Sequence, residues 1–381
     1  MAITFIKALP ALVGSRNDNW IKVSLSSGNQ LVVKFYYTGT LITTQRMPKD
    51  AAGTVSFNIK RIIQSMGLFP NLLDADIPAF DQGIITACSS SVKVFSITLS
   101  EIDSVTGDEI ASQTINSTVL LAGLNPEQAF SMPLVAYLSG PPRKFLTNKP
   151  LTKLTGKNTQ EYLYYYNSNV DFQDAVLQYV FRIYYTDGSD SGEIVFSSQV
   201  IIGVILPAGY NQLNIGSITP MNKQVFYWEV YIKDSGVDTE KHRYEIDERC
   251  HPTGREFLFL NSLGGMDTLR INTVEEVNLD RQSEVVERYV SADTALISGQ
   301  YYETEIQTNR KFKAATSQLL AEERLWLQEF FASSKIFEIS DGKFLPVRIL
   351  TGSVLIKNKA DYLDVKFEYR YRYDDIGYTK P

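Results

Sequence analysis

Alternation between apolar and polar residues, the pattern of a strand with one buried face, recurs along the first third of the chain. Residues 20–37 form two such runs separated by residues 26–29, Ser-Ser-Gly-Asn, which predicts a β-hairpin. A turn over residues 103–108 lies between the last two of three further predicted strands, over residues 53–59, 91–99 and 112–121. Short strands at this spacing favour a β-sandwich over alternating β–α units.

The middle third repeats the strand pattern with more aromatic residues. Residues 176–185 and 194–202 flank the turn-like residues 186–192, which predicts a second hairpin. Strands are also predicted over residues 162–166, 213–218 and 224–233. The inward side chains of the last strand would be Phe226, Trp228, Val230 and Ile232. A buried Trp in such a sheet is typical of an immunoglobulin-like or fibronectin-like sandwich.

One segment has the periodicity of an amphipathic helix. Between residues 317 and 331 the apolar side chains fall on one stripe, formed by Leu319, Leu320, Trp326, Leu327, Phe330 and Phe331. Thr316 or Ser317 would cap its start. Because full burial of a large apolar side chain gains about 1.5 to 3 kcal/mol, we expect this helix to pack on a sheet. A shorter helix is predicted over residues 59–66, with Asn58 as its cap.

The partner sheet is predicted near the C-terminus, where residues 363–373 alternate strictly between an apolar and a charged face. The charged face is either solvated or paired with a neighbouring subunit. Gly264 and Gly265 predict a turn with positive φ after a buried strand. Other strands of this region are predicted over residues 255–260, 269–274 and 298–308.

Length and turn-forming residues set the predicted domain organisation. A chain of 381 residues has room for two or three domains of roughly 100 to 150 residues each. Residues 139–150 combine prolines, a glycine and positive charge, which predicts a linker. We therefore expect a mainly β protein with an N-terminal β-sandwich over residues 1–140 and an immunoglobulin-like or fibronectin-like β-sandwich over 151–250. An α+β unit, with one amphipathic helix on an antiparallel sheet, is expected over 251–381.

Composition narrows the expected partners. The formal net charge of −6 and the pI near 5.2 argue against binding of nucleic acid or an anionic membrane. The N-terminus lacks the pattern of a signal peptide and no apolar run approaches the roughly 20 residues of a membrane span, so we expect the chain to stay in the cytoplasm until assembly. Cys88 and Cys250 are expected to be free thiols. The 22 Tyr and 20 Phe suit ordinary sheet surfaces and protein interfaces equally.

The sequence offers little for catalysis. His242 and His251 are its two histidines, and together with Cys250 they match no common zinc spacing. The Gly264-Gly265 pair lacks the Lys-Ser/Thr that follows in a phosphate-binding loop. Paired carboxylates are unavoidable among 43 acidic residues and indicate no general acid or base by themselves. We therefore expect no enzyme activity, no catalytic residue, no cofactor and no metal.

Two stretches resemble virion proteins from tailed phages of Bacteroidetes-type hosts. Residues 257–268, Phe-Leu-Phe-Leu-Asn-Ser-Leu-Gly-Gly-Met-Asp-Thr, look like a block of those proteins, and residues 143–150 resemble the phrase that precedes it. The helical residues 323–334, followed by 344–349 and the alternating strand, are similar to distal tail and baseplate proteins that form rings at the end of a tail tube. The resemblance covers the last third of the chain well and the rest loosely.

The resemblance implies a structural virion protein that forms an oligomeric ring in the tail, as a distal tail, baseplate or tail-barrel ring. Its partners would be copies of itself and neighbouring tail, collar or baseplate proteins, and its location the virion tail. We place the subunit interface at six positions: Tyr369, Arg370, Tyr371, Arg372, Leu263 and Met266. Ring contacts suit aromatic-rich β modules that need no pocket.

Two alternatives remain open. A cell-surface or carbohydrate-binding adhesion module could be built from the same sandwiches and would use exposed Tyr and Trp as stacking platforms. A glycosidase with paired carboxylates comes third and would require a deep pocket.

Overall fold

A computed structural model describes residues 3–68, 85–167, 177–199, 203–234, 237–248, 254–271, 273–289, 300–316, 319–320, 323–340, 343–355, 362–363 and 365–373. The chain divides into two compact units: Met1–Asp247 with Leu260–Asp267 forms unit 1, and Glu248–Phe259 with Thr268–Pro381 forms unit 2. Strands dominate both units, which confirms the predicted mainly β fold class.

Unit 1 begins with a two-sheet sandwich. One sheet has the order β1-β3-β6 and the other the order β2-β9-β8-β4-β5, and alternate residues of both face a shared core that includes Ile21, Val33 and Phe35. The strands are β1 (Thr4–Lys7), β2 (Leu12–Gly14), β3 (Trp20–Ser24), β4 (Gln30–Tyr37), β5 (Thr40–Pro48), β6 (Thr54–Asn58), β7 (Thr86–Ala87), β8 (Val92–Ile102) and β9 (Glu109–Leu120). The helices are α1 (Lys60–Gln64), α2 (Pro126–Ser131) and α3 (Leu134–Ser139).

The predicted strands of this region are present, but its first hairpin and its helix cap differ from the prediction. Strands β8 and β9 pair antiparallel across the predicted turn. Ile59 occupies the cap position of α1, so the cap predicted at Asn58 is corrected, although the Asn58 side chain accepts a hydrogen bond from the Lys60 N–H at 3.0 Å. The hairpin predicted over residues 20–37 is wrong, because β3 pairs with β1 and β6 whereas β4 pairs with β5 and β8. Both strands alternate in the same way, and alternation shows which face is buried but does not specify the neighbouring strand.

The loop between β3 and β4 crosses from one sheet to the other and is held by a buried carboxylate. Glu101 on β8 accepts hydrogen bonds from the N–H groups of Ser27 at 2.8 Å and Gly28 at 2.6 Å, and from the Ser26 hydroxyl. Burial works to raise the pKa of Glu101, but these hydrogen bonds outweigh it and the pKa is lowered. The crossing is therefore fixed by an ionised side chain whose oxygen atoms replace missing strand partners.

The rest of unit 1 forms a second layered region. Five strands follow the order β10-β17-β15-β12-β13, with β16 paired to β15, and β7 joins a further sheet of order β11-β14-β7. The elements are β10 (Thr152–Thr155), β11 (Tyr162–Tyr166), β12 (Leu177–Tyr185), β13 (Asp190–Gln199), β14 (Gly203–Pro207), α4 (Ile215–Ile218), β15 (Val225–Asp234), β16 (Val237–Asp238) and β17 (His242–Ile246). As predicted, β12 and β13 form a hairpin and Trp228 is buried.

Four predictions for this region are corrected. The linker expected over residues 139–150 contains buried side chains, since Phe145 lies in the core and the Leu146 N–H donates to the Tyr164 carbonyl at 2.7 Å. The boundary expected between residues 140 and 151 is also absent, because β7 pairs with β14 and both regions belong to unit 1. The strand expected over residues 213–218 is instead the short helix α4. In β15, Phe226 is exposed while Trp228, Val230 and Ile232 are buried.

Unit 2 contains a seven-stranded sheet of order β19-β18-β23-β24-β26-β21-β20. Its elements are β18 (Arg255–Leu260), β19 (Met266–Ile271), β20 (Thr273–Glu287), β21 (Tyr301–Ala315), β22 (Leu319–Leu320), α5 (Arg324–Ala332), β23 (Ile336–Ser340), β24 (Lys343–Ile349), β25 (Tyr362–Leu363) and β26 (Lys366–Tyr371). Trp326, Leu327 and Phe330 of α5 share a core with Phe257 and Phe367 of the sheet, which confirms the predicted packing of helix on sheet.

Helix α5 begins later than predicted. The helix was expected from residue 317, but Leu319 and Leu320 form β22, which pairs with β25. Apolar residues adjacent in sequence fit a helical stripe and a short strand equally, so the periodicity could not distinguish the two.

The segment Leu260–Asp267 belongs to unit 1 although the chain before and after it belongs to unit 2. The Arg16 guanidinium donates to the Asn261 carbonyl at 2.8 Å, and the Gly123 N–H donates to the Ser262 carbonyl at 2.9 Å. Gly264 has φ +89°, which confirms the predicted glycine turn, and a Cβ atom there would lie 1.4 Å from the Leu121 carbonyl oxygen. The turn thus requires glycine both for its backbone conformation and for its close approach to Leu121.

We predict that Gly264→Ala destabilises unit 1 by several kcal/mol, because a side chain there meets backbone at a φ that L-residues avoid. Urea unfolding followed by tryptophan fluorescence measures the change. Gly352→Ala is the matched control, since a Cβ atom at Gly352 has no neighbour within 4 Å. Equal stability of the two variants would contradict the assignment.

Candidate interaction surface

Unit 2 carries a hairpin that continues past the end of its sheet. Strands β20 and β21 have 15 residues each, but β26 pairs with β21 only over Lys311–Ala315. Among the strands that the structure describes, β20 pairs with β21 alone. Residues 301–310 therefore extend with their β20 partners as a two-stranded ribbon, for about 30 Å at roughly 3.3 Å per residue. We call residues 276–287 and 301–310 the arm; residues 276–278 form its base, where β21 still pairs with β26.

One face of the arm carries exposed apolar side chains. Phe312, at the base of the arm, is buried in the core of unit 2 and faces Val277 across the hairpin. Because side chains of a strand alternate, Leu279 and Val285 lie on the same face as Val277. The exposed fractions of Val277, Leu279 and Val285 are 57%, 62% and 58%. The core face of the sheet thus continues along the arm, where these three apolar side chains lie exposed among polar ones: Arg281 is on the same face, Arg310 lies opposite Leu279, and Glu303 lies opposite Val285.

Ion pairs join β20 and β21 along the arm and at its base. They are Arg281 with Glu303, Lys311 with Asp280, and Lys313 with Glu276 at 2.6 Å. The hydrogen bond from Lys313 and its positive charge lower the pKa of Glu276. Because these side chains are substantially exposed, solvent screens them and each pair contributes little to stability. The arm is therefore held mainly by its backbone ladder.

Three of the six predicted interface residues are buried inside the chain. Tyr369 lies in the core of unit 2 and donates a hydrogen bond to Glu338 at 3.1 Å. Leu263 and Met266 are buried in unit 1. The interface predicted at these three positions is therefore corrected, because none of the three has surface left for another subunit. The strand pattern identified an apolar face correctly, but α5 of the same chain covers that face.

The remaining three predicted positions are more accessible. Tyr371 is half-buried and donates to Glu338 at 3.1 Å; burial first, and then the Glu338 charge, raise its pKa to about 12. Arg372 is exposed and donates to the carbonyl groups of Val347 and Ser334, while Arg370 is half-buried. A subunit contact through these three residues stays a prediction.

The sequence patterns did not identify the arm. A strand was predicted over residues 298–308, which includes much of β21, but residues 275–287 were not predicted as its partner, because charged residues interrupt the alternation of Val277, Leu279 and Val285. The signal that could have found it is a 15-residue stretch in which single apolar residues lie among polar ones. This pattern fits a ribbon exposed on both faces.

Unit 1 contains a buried cluster of ionisable side chains, which is the second candidate site after the arm. The Lys149 ammonium donates to the Tyr162 carbonyl at 2.9 Å and to the Tyr244 hydroxyl at 2.8 Å, and lies 3.9 Å from Glu161. Glu161 also pairs with Lys153 at 2.5 Å. Burial lowers the pKa of Lys149 to about 8, against the opposing charges of Glu161 and Asp267. An amine of this kind is a potential nucleophile, but its side chain is fully buried, which favours a structural role.

The other residues considered for chemistry are placed as follows. His242 is buried in unit 1 with Glu240 at 3.4 Å, and burial lowers its pKa. Cys88 is a buried free thiol. Cys250 and His251 lie outside the described residues. Within the described part of the chain, no group of three or more His, Cys, Asp or Glu residues is arranged to hold a metal ion, and none of the helices has the length and apolar character needed to cross a membrane.

Comparisons with known proteins give little guidance. No family model and no curated protein matches the chain. Solved structures with weak similarity include a 1.5-MDa bacterial ice-binding adhesin, 10% identical over 81% of this chain and 88% of that chain, with a TM-score of 0.17. A Ca²⁺-stabilised adhesin of an Antarctic bacterium is 9% identical, covering 83% and 70%, and latent PorU of Porphyromonas gingivalis is 8% identical, covering 82% and 32%; both have a TM-score of 0.18. These scores are too low to establish a shared fold.

We predict that Lys149 makes the stability of unit 1 rise with pH between about pH 8 and pH 10. The pKa of about 8 in the folded chain lies below the ordinary 10.5, so over this range the unfolded chain binds more protons than the folded chain. Folding is penalised at and below pH 8, and the penalty falls as the pH rises. The difference in unfolding free energy between the wild type and Lys149→Met, measured with urea at several pH values, should therefore increase. Parallel pH dependences in the two proteins would contradict this.

Proposed function

We propose that this chain is a structural virion protein of a tailed phage, whose copies assemble side by side into a ring in the tail. The observation that carries the proposal is the arm, a two-stranded ribbon with exposed apolar side chains on one face. A lone two-stranded hairpin is marginally stable in water, because it has no second layer against which to bury its side chains. Another polypeptide that covered the arm would supply this layer.

The tail assignment is supported by the sequence resemblance. Residues 257–268 and the C-terminal helix-and-strand unit resemble virion proteins that form rings at the end of a tail tube. The packing of α5 on the seven-stranded sheet fits that resemblance. In this proposal the role is mechanical, and neighbouring tail, collar or baseplate proteins would contact the ring.

We expect the purified 43.0 kDa chain to self-associate reversibly at micromolar concentrations, because apolar surface on the arm gains free energy when it leaves water. Sedimentation velocity over a concentration series measures the association, and negative-stain imaging of the largest species should show rings. Mass spectrometry of purified phage particles should detect the chain in the tail fraction.

A chain that stays monomeric at every concentration and is missing from phage particles would overturn the proposal. If such a monomer bound immobilised glycans, the adhesion alternative would replace it. Exposed aromatic side chains such as Trp20 and Phe226 would then be the positions to substitute first.

A further inference from the structure

We propose that the arm of one copy docks along strand β5 of the next copy, with β20 adding to the free edge of the neighbour's five-stranded sheet. The inference rests on the proposed ring and specifies which two surfaces form it. An uncovered strand edge presents a row of backbone donors and acceptors that a second strand can pair with.

Strand β5 is the complementary surface. It is the last strand of its sheet, and in the part of the chain that the structure describes only β4 pairs with it. Seven of its nine side chains are exposed and the other two are intermediate, although it lies beside a buried strand. Leu41 and Ile42, which are exposed to 48% and 45%, add apolar surface to the edge. Its nine residues are fewer than the 15 of β20, which pairs with β21 alone among the described strands, so β20 is long enough to pair with the whole of β5.

Charge favours this pairing over a contact between two identical surfaces. Residues 273–310 contain eight acidic and three basic residues, a net charge of −5. The β4–β5 hairpin, residues 30–48, contains two basic residues and no acidic residue, a net charge of +2. Two arms therefore repel each other, as do two β4–β5 hairpins, while an arm and a β4–β5 hairpin attract.

The outer face of the β4–β5 hairpin concentrates these features. Arg46 is exposed on β5, and it lies opposite Val32, next to the Lys34–Thr44 pair on the same face. Beyond a bulge, Leu41 lies opposite Tyr36 on that face. Basic and apolar side chains thus share this face of the hairpin, whereas β20 carries acidic side chains such as Asp280 beside its apolar ones.

A contact between two different surfaces is heterologous. Each copy then offers one arm and one edge, so copies join head to tail and the series closes into a ring if the rotation between neighbours permits. A symmetric contact of arm with arm would stop at a dimer.

The test uses two single substitutions and their mixture. Leu279→Asp disables the arm and leaves β5 intact, while Leu41→Asp disables β5 and leaves the arm intact. We expect each variant alone to associate more weakly than the wild type by about two orders of magnitude or more in Kd, measured by sedimentation velocity. Mixed in equal amounts, they should form a dimer of one copy of each and grow no further. Val105→Asp is the control, since Val105 is 85% exposed in the β8–β9 turn, and it should associate like the wild type.

The outcomes separate this inference from the proposed function. If the wild type forms rings and the Leu279→Asp and Leu41→Asp variants do so equally well, the docking is wrong while the ring stands. If Leu41→Asp still dimerises alone, the contact is arm to arm and the inference fails. If both variants are monomeric and their mixture stays monomeric, the pairing of these two surfaces is also refuted. A wild type that never associates refutes the ring and the docking together. Circular dichroism of each variant confirms that it is folded.

Discussion

In aqueous solution an apolar sheet face must be covered by another layer, and this requirement determines how the chain is organised. In the N-terminal sandwich two sheets cover each other around Phe35, and in unit 2 the helix α5 covers the seven-stranded sheet through Trp326 and Phe330. The arm departs from this rule, because Val277, Leu279 and Val285 lie exposed on the face that continues from Phe312, without a second layer. The proposed function follows from that departure, and in it another polypeptide supplies the missing layer.

Local patterns in the sequence predicted most individual elements but fewer of their pairings. The hairpins β8–β9 and β12–β13 were predicted because two strands joined by a short turn pair with each other. Strands β3 and β4 follow the same alternation but are joined across two sheets, and the anchor of that crossing, Glu101, lies 73 residues from Gly28. A pattern of neighbouring residues contains no information about such long-range hydrogen bonds.

The candidate interaction surface was harder to predict than the fold. The alternating strand that ends at Tyr373 led to Tyr369 as an interface residue, yet its apolar face is used within the chain. An apolar pattern indicates that a face is buried but does not show whether the covering layer belongs to the same chain or to another one. The arm carries the opposite signature, with few apolar residues among many charges, so its strands resembled a solvated segment. The arm is recognised only from the strand pairing, which shows that β26 pairs with β21 over Lys311–Ala315 and not over residues 301–310.

The discontinuous composition of unit 1 has a practical consequence for dissecting the chain. A fragment that ends at Asp247 would contain most of unit 1 but would lack Leu260–Asp267. Arg16, Gly123 and Asn148 would then lose acceptors that this segment supplies. Cutting between the two units in sequence therefore removes an internal part of the first, and recombinant fragments intended to isolate it need the distal segment supplied by a linker or as a separate peptide.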